Sequence, residues 1–387
     1  MRRKYWVALI VVAIVAAIVL AALFIRRAPA PIPVPTPAPT IPPTPTPSPT
    51  PTPAPTPTPA PLVSERFELP LEGAAGYASV ALNLREGASS NTRLIQTLAP
   101  GTAFRIVSES GGWWQVDTGS ARGWLSSKYC MVNLPDIIPS IVYDATNTYA
   151  SLLRSSGKAL SGVTGEGLYA GRAYNARFDQ NMFVMPVLYP MAEKIYSAQT
   201  RALARGETLV LYEAYRPYAA QMAAVRALSA LADSDRQVMR GISSAPWSLS
   251  WFASTKLSNH QRGGAIDVSL AKVERTERRR SGAYGYTHVA AHTMYQMPTP
   301  MHELSAAAAV FTGPVSSSSA TAWKRAERSP NMNKAALRLQ TYLTDAGLTP
   351  LASEWWHFND LDALSGTSAN PGAGGFTLTK CLSAPPQ

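Results

Sequence analysis

Two stretches carry residues able to do chemistry together: Ser258-Asn259-His260-Gln261-Arg262-Gly263-Gly264-Ala265-Ile266-Asp267 and Glu354-Trp355-Trp356-His357. They supply two imidazoles, one carboxylate beside them, and a second carboxylate free to handle protons. His and Asp are suitable donors for zinc, which in catalytic sites takes three protein ligands and keeps one position open. On this reading His260, Asp267 and His357 bind the metal. Glu354, three residues before His357, approaches a water without binding the metal itself. The chain holds five histidines, and two of them fall in these stretches.

The elements that must position these groups are partly legible. Gly263 and Gly264 argue for a strand–turn–strand that returns His260 and Asp267 to one point. Ala265–Leu270 alternates as a strand with one buried side. Asn331–Ala346 has the spacing of an amphipathic helix stopped by Gly347, leading into the Glu354 segment. Upstream, Glu213-Ala214-Tyr215-Arg216-Pro217 offers a guanidinium, which beside a metal would stabilise charge developing on a carbonyl oxygen.

The order Ser-x-His-x-x-Gly-x-Ala-x-Asp, then Glu-x-x-His, with the Tyr-Arg-Pro segment before them, resembles the D-alanyl-D-alanine metallopeptidases. That family comprises D-Ala-D-Ala dipeptidases of the vancomycin-resistance type and related D,D-carboxypeptidases. The resemblance spans residues 134–362 and is closest to the dipeptidase branch. It implies an α+β domain with an antiparallel sheet, and zinc on His260, Asp267 and His357. It also implies Glu354 as the base, Arg216 as the oxyanion partner, and Ser258 near the amino end of the substrate. One departure stands out. Where dipeptidases carry an acidic Asp-Met-Gly-type segment, this chain reads Gln296-Met297-Pro298-Thr299-Pro300-Met301-His302-Glu303. The acid expected to meet a free substrate ammonium has become Gln296, with Glu303 as the nearby carboxylate able to replace it. The preceding segment is basic, with Lys272, Arg275, Arg278, Arg279 and Arg280 against Glu274 and Glu277. Such a run suits a solvated hairpin tip or contact with an anionic wall polymer.

The remaining chain bounds the setting. Tyr5–Ile25 is 21 residues without a charge, preceded by Met1-Arg2-Arg3-Lys4. That length spans a bilayer, and the basic start orients the amino end to the cytoplasm. A cleaved signal peptide has a shorter apolar region ending in small residues. Here Leu23-Phe24-Ile25-Arg26-Arg27 follows directly, which favours an uncleaved anchor over residues 1–27. Residues 28–62 hold 17 of the 33 prolines and no charge. This tract cannot bury a core and suits polyproline II, with a reach on the order of 100 Å at about 3.1 Å per residue. Residues 74–132 show short apolar strands between glycine turns, with Leu82-Asn83-Leu84-Arg85-Glu86-Gly87, Gly111-Gly112-Trp113-Trp114 and Gly123-Trp124-Leu125-Ser126. Their order resembles bacterial SH3-like domains, which implies wall-peptide binding or a spacer barrel. Trp113, Trp114 and Trp124 are core residues or a binding platform. The peptidase domain is then expected over 134–385.

The formal charge of +11 overstates the exported part, because five basic residues flank the anchor; without them 30 basic residues face 24 acidic ones, or +6. No nucleic-acid-binding fold, phosphate loop or dinucleotide fingerprint accompanies that charge, so nucleic acid is not an expected partner. Peptidoglycan peptides or D-Ala-D-Ala, and the membrane through the amino-terminal helix, are. Cys130 and Cys381, in an exported chain, are expected to pair and to tie the carboxyl end to the barrel. The expected location is the cell membrane, single-pass, with the catalytic domain outside the cytoplasm. Protease added to intact cells should therefore remove the ectodomain and leave a small membrane-bound stub; recovery of a soluble mature chain beginning after residue 25 would refute the anchor.

Overall fold

A computed structural model describes residues 60–387 apart from 145, 149, 166, 170, 253–256 and 368–373. The expected anchor and nearly all of the Pro-rich tract lie outside the described residues. Among the described residues no helix is long and apolar enough to cross a membrane.

An all-β region comes first. Its strands are β1 (Ala75–Ala78), β2 (Leu82–Arg85), β3 (Leu94–Leu98), β4 (Ala103–Ser110), β5 (Trp113–Asp117), β6 (Arg122–Ser126) and β7 (Cys130–Asn133). Period-two alternation builds its core: Leu82, Leu84, Phe104, Ile106, Trp114, Val116 and Leu125 point inward, while Asn83 is exposed. Trp114 is thus a core residue, and Trp113 and Trp124 are half-buried. A mixed α/β region follows. It has β8 (Val142–Tyr143), β9 (Pro186–Leu188), β10 (Glu207–Glu213), β11 (Ala265–Ser281), β12 (Tyr284–Met294), β13 (Thr349–Leu351) and β14 (Glu354–Asn359). Its main sheet runs β13-β14-β11-β10-β8, with β12 also on β11. These pairs are antiparallel except β8 with β10, which is parallel, so the sheet expected to be antiparallel carries one parallel edge.

Strand β9 belongs to neither expected domain alone. It follows from the mixed region yet pairs antiparallel with β7, giving the order β9-β7-β1-β4-β5-β6-β2-β3. Helix α1 (Tyr189–Leu203) continues directly from β9, with a proline in its first turn. Its buried residues Met191, Ile195, Ala198 and Ala202 recur at helical spacing and form one stripe. At its start, Tyr189 packs edge-on to Trp114, with ring centroids 4.6 Å apart. One continuous apolar cluster therefore runs from Trp114 and Val132 through Ile195 to Leu211, Val268 and Trp355.

Helices α2 (Tyr218–Ser234), α3 (Arg236–Ser243), α4 (Lys334–Asp345) and α5 (Leu361–Ser365) follow along the chain. Helix α4 starts three residues later than its periodicity suggests. The reason is local: the Asn333 side chain accepts from the backbone N–H of Ala336, and this cap sets the first turn. Gly347 ends it in a left-handed conformation, φ +92°.

The expected disulfide is absent: Cys130 and Cys381 are both free thiols. Alternation explains why. Cys130 and Val132 face the main core, whereas Met131, their neighbour on β7, faces a second cluster against which Cys381 packs. The two sulfurs lie on opposite sides of one strand. The chain end is still tied to the barrel, by hydrogen bonds. Ala384 N–H donates to Gly73 O at 2.7 Å, Tyr77 Oη–H donates to Lys380 O at 2.8 Å, and Ser383 Oγ–H donates to Asp136. Gly375–Cys381 contains no strand or helix. Denatured protein should titrate two thiols per chain, and thermal unfolding should be the same with and without reductant. A reductant-sensitive midpoint would contradict this arrangement.

Candidate metal centre

Three neighbouring strands set the floor of the site. Glu213 on β10 pairs with Asp267 on β11, and Asp267 pairs with His357 on β14. Directly paired residues share a face of the sheet. The flanking residues Leu211, Val268 and Phe358 face the apolar core instead. Glu213 reaches the polar face only because of a bulge. The register shifts between Leu211 and Glu213, so Tyr212 is the extra residue and Glu213 is re-aimed beside Asp267.

His260 arrives from a turn rather than from the expected strand; only β11 after it is regular. Gly263 in that turn has φ +73°, and a side chain there would also meet Met131 of the barrel within 2.8 Å. His260 Nδ1–H donates to Ala214 O at 2.7 Å, which leaves the Nε2 lone pair free. His357 Nε2–H donates to Asn359 Oδ1 at 3.0 Å, which leaves Nδ1 free. These two free nitrogens are 3.1 Å apart. Asp267 Oδ1 lies 3.2 Å from His260 Nε2 and 3.1 Å from His357 Nδ1. Three ligand atoms thus converge on one point, and all three residues are buried. The group could hold a metal ion.

Asp267 Oδ2 looks the other way. It accepts from Arg216 Nη2 at 2.8 Å and from His302 Nε2 at 3.1 Å. Arg216 is itself clamped: Nε donates to Glu213 Oε2 at 2.6 Å, Nη2 also reaches Glu213, and Nη1 donates to Gln221 Oε1 at 2.8 Å. Glu213, Asp267 and His302 form a second buried group of metal-ligand type. A cation already sits between its two carboxylates, namely the Arg216 guanidinium.

Electrostatics follow this geometry. Burial works to raise the Asp267 carboxyl, but His260, His302 and His357 outweigh it and hold it well below the usual range. Burial lowers His260, while His357 is raised despite burial because Asp267 and Glu354 favour its charged form. Burial also opposes the Arg216 charge, and Glu213 and Asp267 overcome that.

Glu354 stands apart from the ligand triangle. Its Oε2 is 3.9 Å from His357 Nδ1, a separation that suits a bridging water better than direct contact. Residues three apart on a regular strand point to opposite faces. Here the β13–β14 register shifts between Pro350 and Leu351, so that Leu351 faces Glu354, and the irregularity brings Glu354 to the His357 side. Burial pushes its carboxyl up to about 7, with the neighbouring charges partly cancelling.

A cleft of about 230 Å³ opens onto these groups. Arg216, Ser258, His260, Glu354 and His357 line it, with Phe252, Leu257 and Leu351 as apolar wall and Asn259, Gln221, Ser317 and Asn359 as neutral polar wall. Ser258 Oγ is buried there with no hydrogen-bond partner among the described residues.

Two expected substrate residues are not in the cleft. Gln296 is exposed, and its carbonyl accepts from Asn333 Nδ2 at 2.8 Å. Glu303 is buried but fully engaged: it accepts from the backbone N–H groups of Ser156 and Gly157 and from Ser305 Oγ, pinning a tight turn. The residue this segment delivers to the site is His302, which the motif reading passed over. Asn147, Gln221 and Asn359 were also missed; none belongs to a spacing pattern, and only the fold brings them here.

Residues 80–130 match the family model of a bacterial SH3 domain, which agrees with the all-β region described above. No curated protein matches the chain.

Raising the Glu354 carboxyl from 4.5 to about 7 means that the folded chain keeps a proton which the unfolded chain gives up between those values. Its ionisation therefore costs native stability as pH rises from 4.5 through 7. In chelator-stripped protein, Glu354→Gln should add on the order of 2–3 kcal/mol at pH 8 and little at pH 4, read from urea midpoints. Equal effects at both pH values would show that Glu354 is not ionising in an apolar site.

Proposed function

We propose that this protein is a zinc-dependent peptidase that cleaves D-Ala-D-Ala-type bonds in peptidoglycan peptides. The observation that carries the proposal is the triangle of His260 Nε2, Asp267 Oδ1 and His357 Nδ1, with edges of 3.1–3.2 Å. A tetrahedral ion with bonds of about 2.0–2.1 Å spaces its ligands by roughly 3.3–3.4 Å, close to these edges. Two neutral imidazoles and a carboxylate are also a donor set that suits zinc. Both imidazole tautomers are fixed by a hydrogen bond from the far nitrogen, as metal-binding histidines require. The motifs that resemble the D-alanyl-D-alanine metallopeptidases supply these same ligands.

A bound zinc supplies Lewis acidity, acidifying a water and polarising a carbonyl. The chain's own groups do the rest. Glu354, with its carboxyl near 7, takes a proton from the attacking water and returns it to the departing nitrogen. Arg216 Nη1 has one hydrogen beyond that given to Gln221, and on the cleft wall it can bond the carbonyl oxygen as negative charge develops there. The clamp from Glu213 and Asp267 holds this donor in place before substrate arrives. Phe252, Leu257 and Leu351 exclude water and fit small apolar side chains.

The wall chemistry favours a substrate acylated at its amino side over a free dipeptide. A free dipeptide presents an ammonium near the reacting carbonyl, and an unpaired ammonium in a partly desolvated site costs several kcal/mol. Among the described residues Glu354 is the one carboxylate on the cleft wall, and it is assigned to proton transfer. A stem peptide offers an amide at that place, which Ser258 and the asparagines can satisfy. The SH3 domain and the expected anchor fit a site of action at the cell wall, where tethering raises the effective concentration of wall peptides.

Product analysis on zinc-loaded protein tests this reading. Terminal D-Ala-D-Ala bonds of an acylated pentapeptide should be cut at least as well as free D-Ala-D-Ala. Glu354→Ala should keep zinc and lose about 10²-fold or more in turnover, and Arg216→Ala about 10²–10³-fold. Absence of zinc from the wild type, retained turnover in Glu354→Ala, or strict preference for the free dipeptide would each count against it.

A further inference from the structure

We propose that His302 is a positioning residue of the metal centre, setting through Asp267 the oxygen that faces the metal. The inference rests on the metal-centre reading above and extends it beyond the ligands themselves.

Five buried side chains close a ring. Glu213 accepts from Arg216, and Arg216 Nη2 donates to Asp267 Oδ2. His302 Nε2–H donates to the same oxygen at 3.1 Å, and His302 Nδ1 lies 3.0 Å from Asn147 Nδ2. Asn147 Nδ2 also donates to Glu213 Oε1 at 2.9 Å, which returns to the start.

The hydrogen-bond pattern assigns the accepting nitrogen of the ring's histidine. The Asn147 amide group has two hydrogens and, among the described residues, two neighbours to use them on, Glu213 and His302. Asn147 Oδ1 is turned away and accepts from Leu152 N–H at 2.6 Å, which fixes the amide orientation. His302 Nδ1 must therefore be the acceptor, and the single ring proton sits on Nε2, aimed at Asp267. A second proton on Nδ1 would meet the amide hydrogens head-on. Tyr212 and Trp356 pack T-shaped against the ring, at 6.5 and 5.8 Å between centroids.

The result is a carboxylate held by two donors on Oδ2, one charged and one neutral. Arg216 gives Oδ2 one donor, Nη2, and a carboxylate held at a single hydrogen bond can still turn about it. With His302 as the second donor, Asp267 cannot rotate, and Oδ1 stays in the triangle with His260 and His357. Hydrogen-bond partners that orient a metal-binding carboxylate commonly matter 10–100-fold in metal affinity. His302 has φ +59°, in the left-handed region where Asn, Asp and His are the more tolerant of the non-glycine residues.

A substitution that suits this backbone makes a discriminating test. Asn also tolerates the left-handed conformation, yet its side chain is too short to reach Asp267. Gln reaches further and its amide can donate as Nε2 does. In the full-length protein, zinc affinity would be read by competition with a chromophoric chelator, and ligand geometry by the cobalt(II) d–d spectrum. His302→Asn should bind zinc 10–100-fold more weakly and shift the cobalt bands. His302→Gln should recover most of the affinity. Unchanged affinity in His302→Asn, or equal loss in both variants, would overturn the role of His302 while leaving the zinc reading intact. A wild type that binds no zinc would overturn both.

Discussion

A single carboxylate, Asp267, faces two ways, and much of the polar architecture answers to that. Its Oδ1 completes a triangle with two imidazole nitrogens, while its Oδ2 is held by a guanidinium and a third imidazole. An ionised carboxylate in the interior is costly unless both oxygens are satisfied. Here the partners come from far apart in the chain: His260 from a turn, His357 from a neighbouring strand, Arg216 from the end of β10, and His302 from a left-handed loop position. Each of these must be exact in place for Asp267 to stay charged, which is why the surrounding polar groups are buried and interlocked rather than scattered.

The sheet makes this arrangement attainable. A row of directly paired residues across β10, β11 and β14 puts Glu213, Asp267 and His357 side by side on one face. The opposite face is apolar and packs into the common core. Two irregularities convert a plain sheet into a site. The bulge at Tyr212 brings Glu213 to the polar face, and the register shift before Leu351 brings Glu354 beside His357. In both places a break in hydrogen-bond register serves to aim one carboxylate.

The contrast between what could and could not be read from the chain follows the range of the interactions. His260, Asp267, His357, Glu354 and Arg216 lie in short segments whose local spacing already suggests chemistry; the structure brings four of them to one cleft and sets Asp267 against its two histidines. Ser258 joins them. His302 and Asn147 were not legible, because their roles come from meeting across 155 positions of sequence. Gln296 and Glu303 were assigned from their place in a segment, and the loop turns His302 inward instead of either. The strands of the barrel were legible from alternation and glycine turns. Its additional strand β9 was not, since it lies more than fifty residues beyond the barrel and is recognisable only by what it pairs with. The thiol pairing failed for a simple reason of parity: one strand separates the two cysteines, and neighbouring residues of a strand face opposite sides.

The shared strand β9 has a consequence for how such a chain can change over time. An SH3 domain joined by a loop alone is portable, and recombination can add, delete or exchange it with little effect on its neighbour. Here the barrel's β7 is covered by Pro186–Leu188, and the next residue, Tyr189, begins helix α1 against Trp114. Excising residues 75–133 would strip β9 of its partner and bare one side of α1. A change in the barrel at β7 is therefore also a change in the packing of the mixed α/β region.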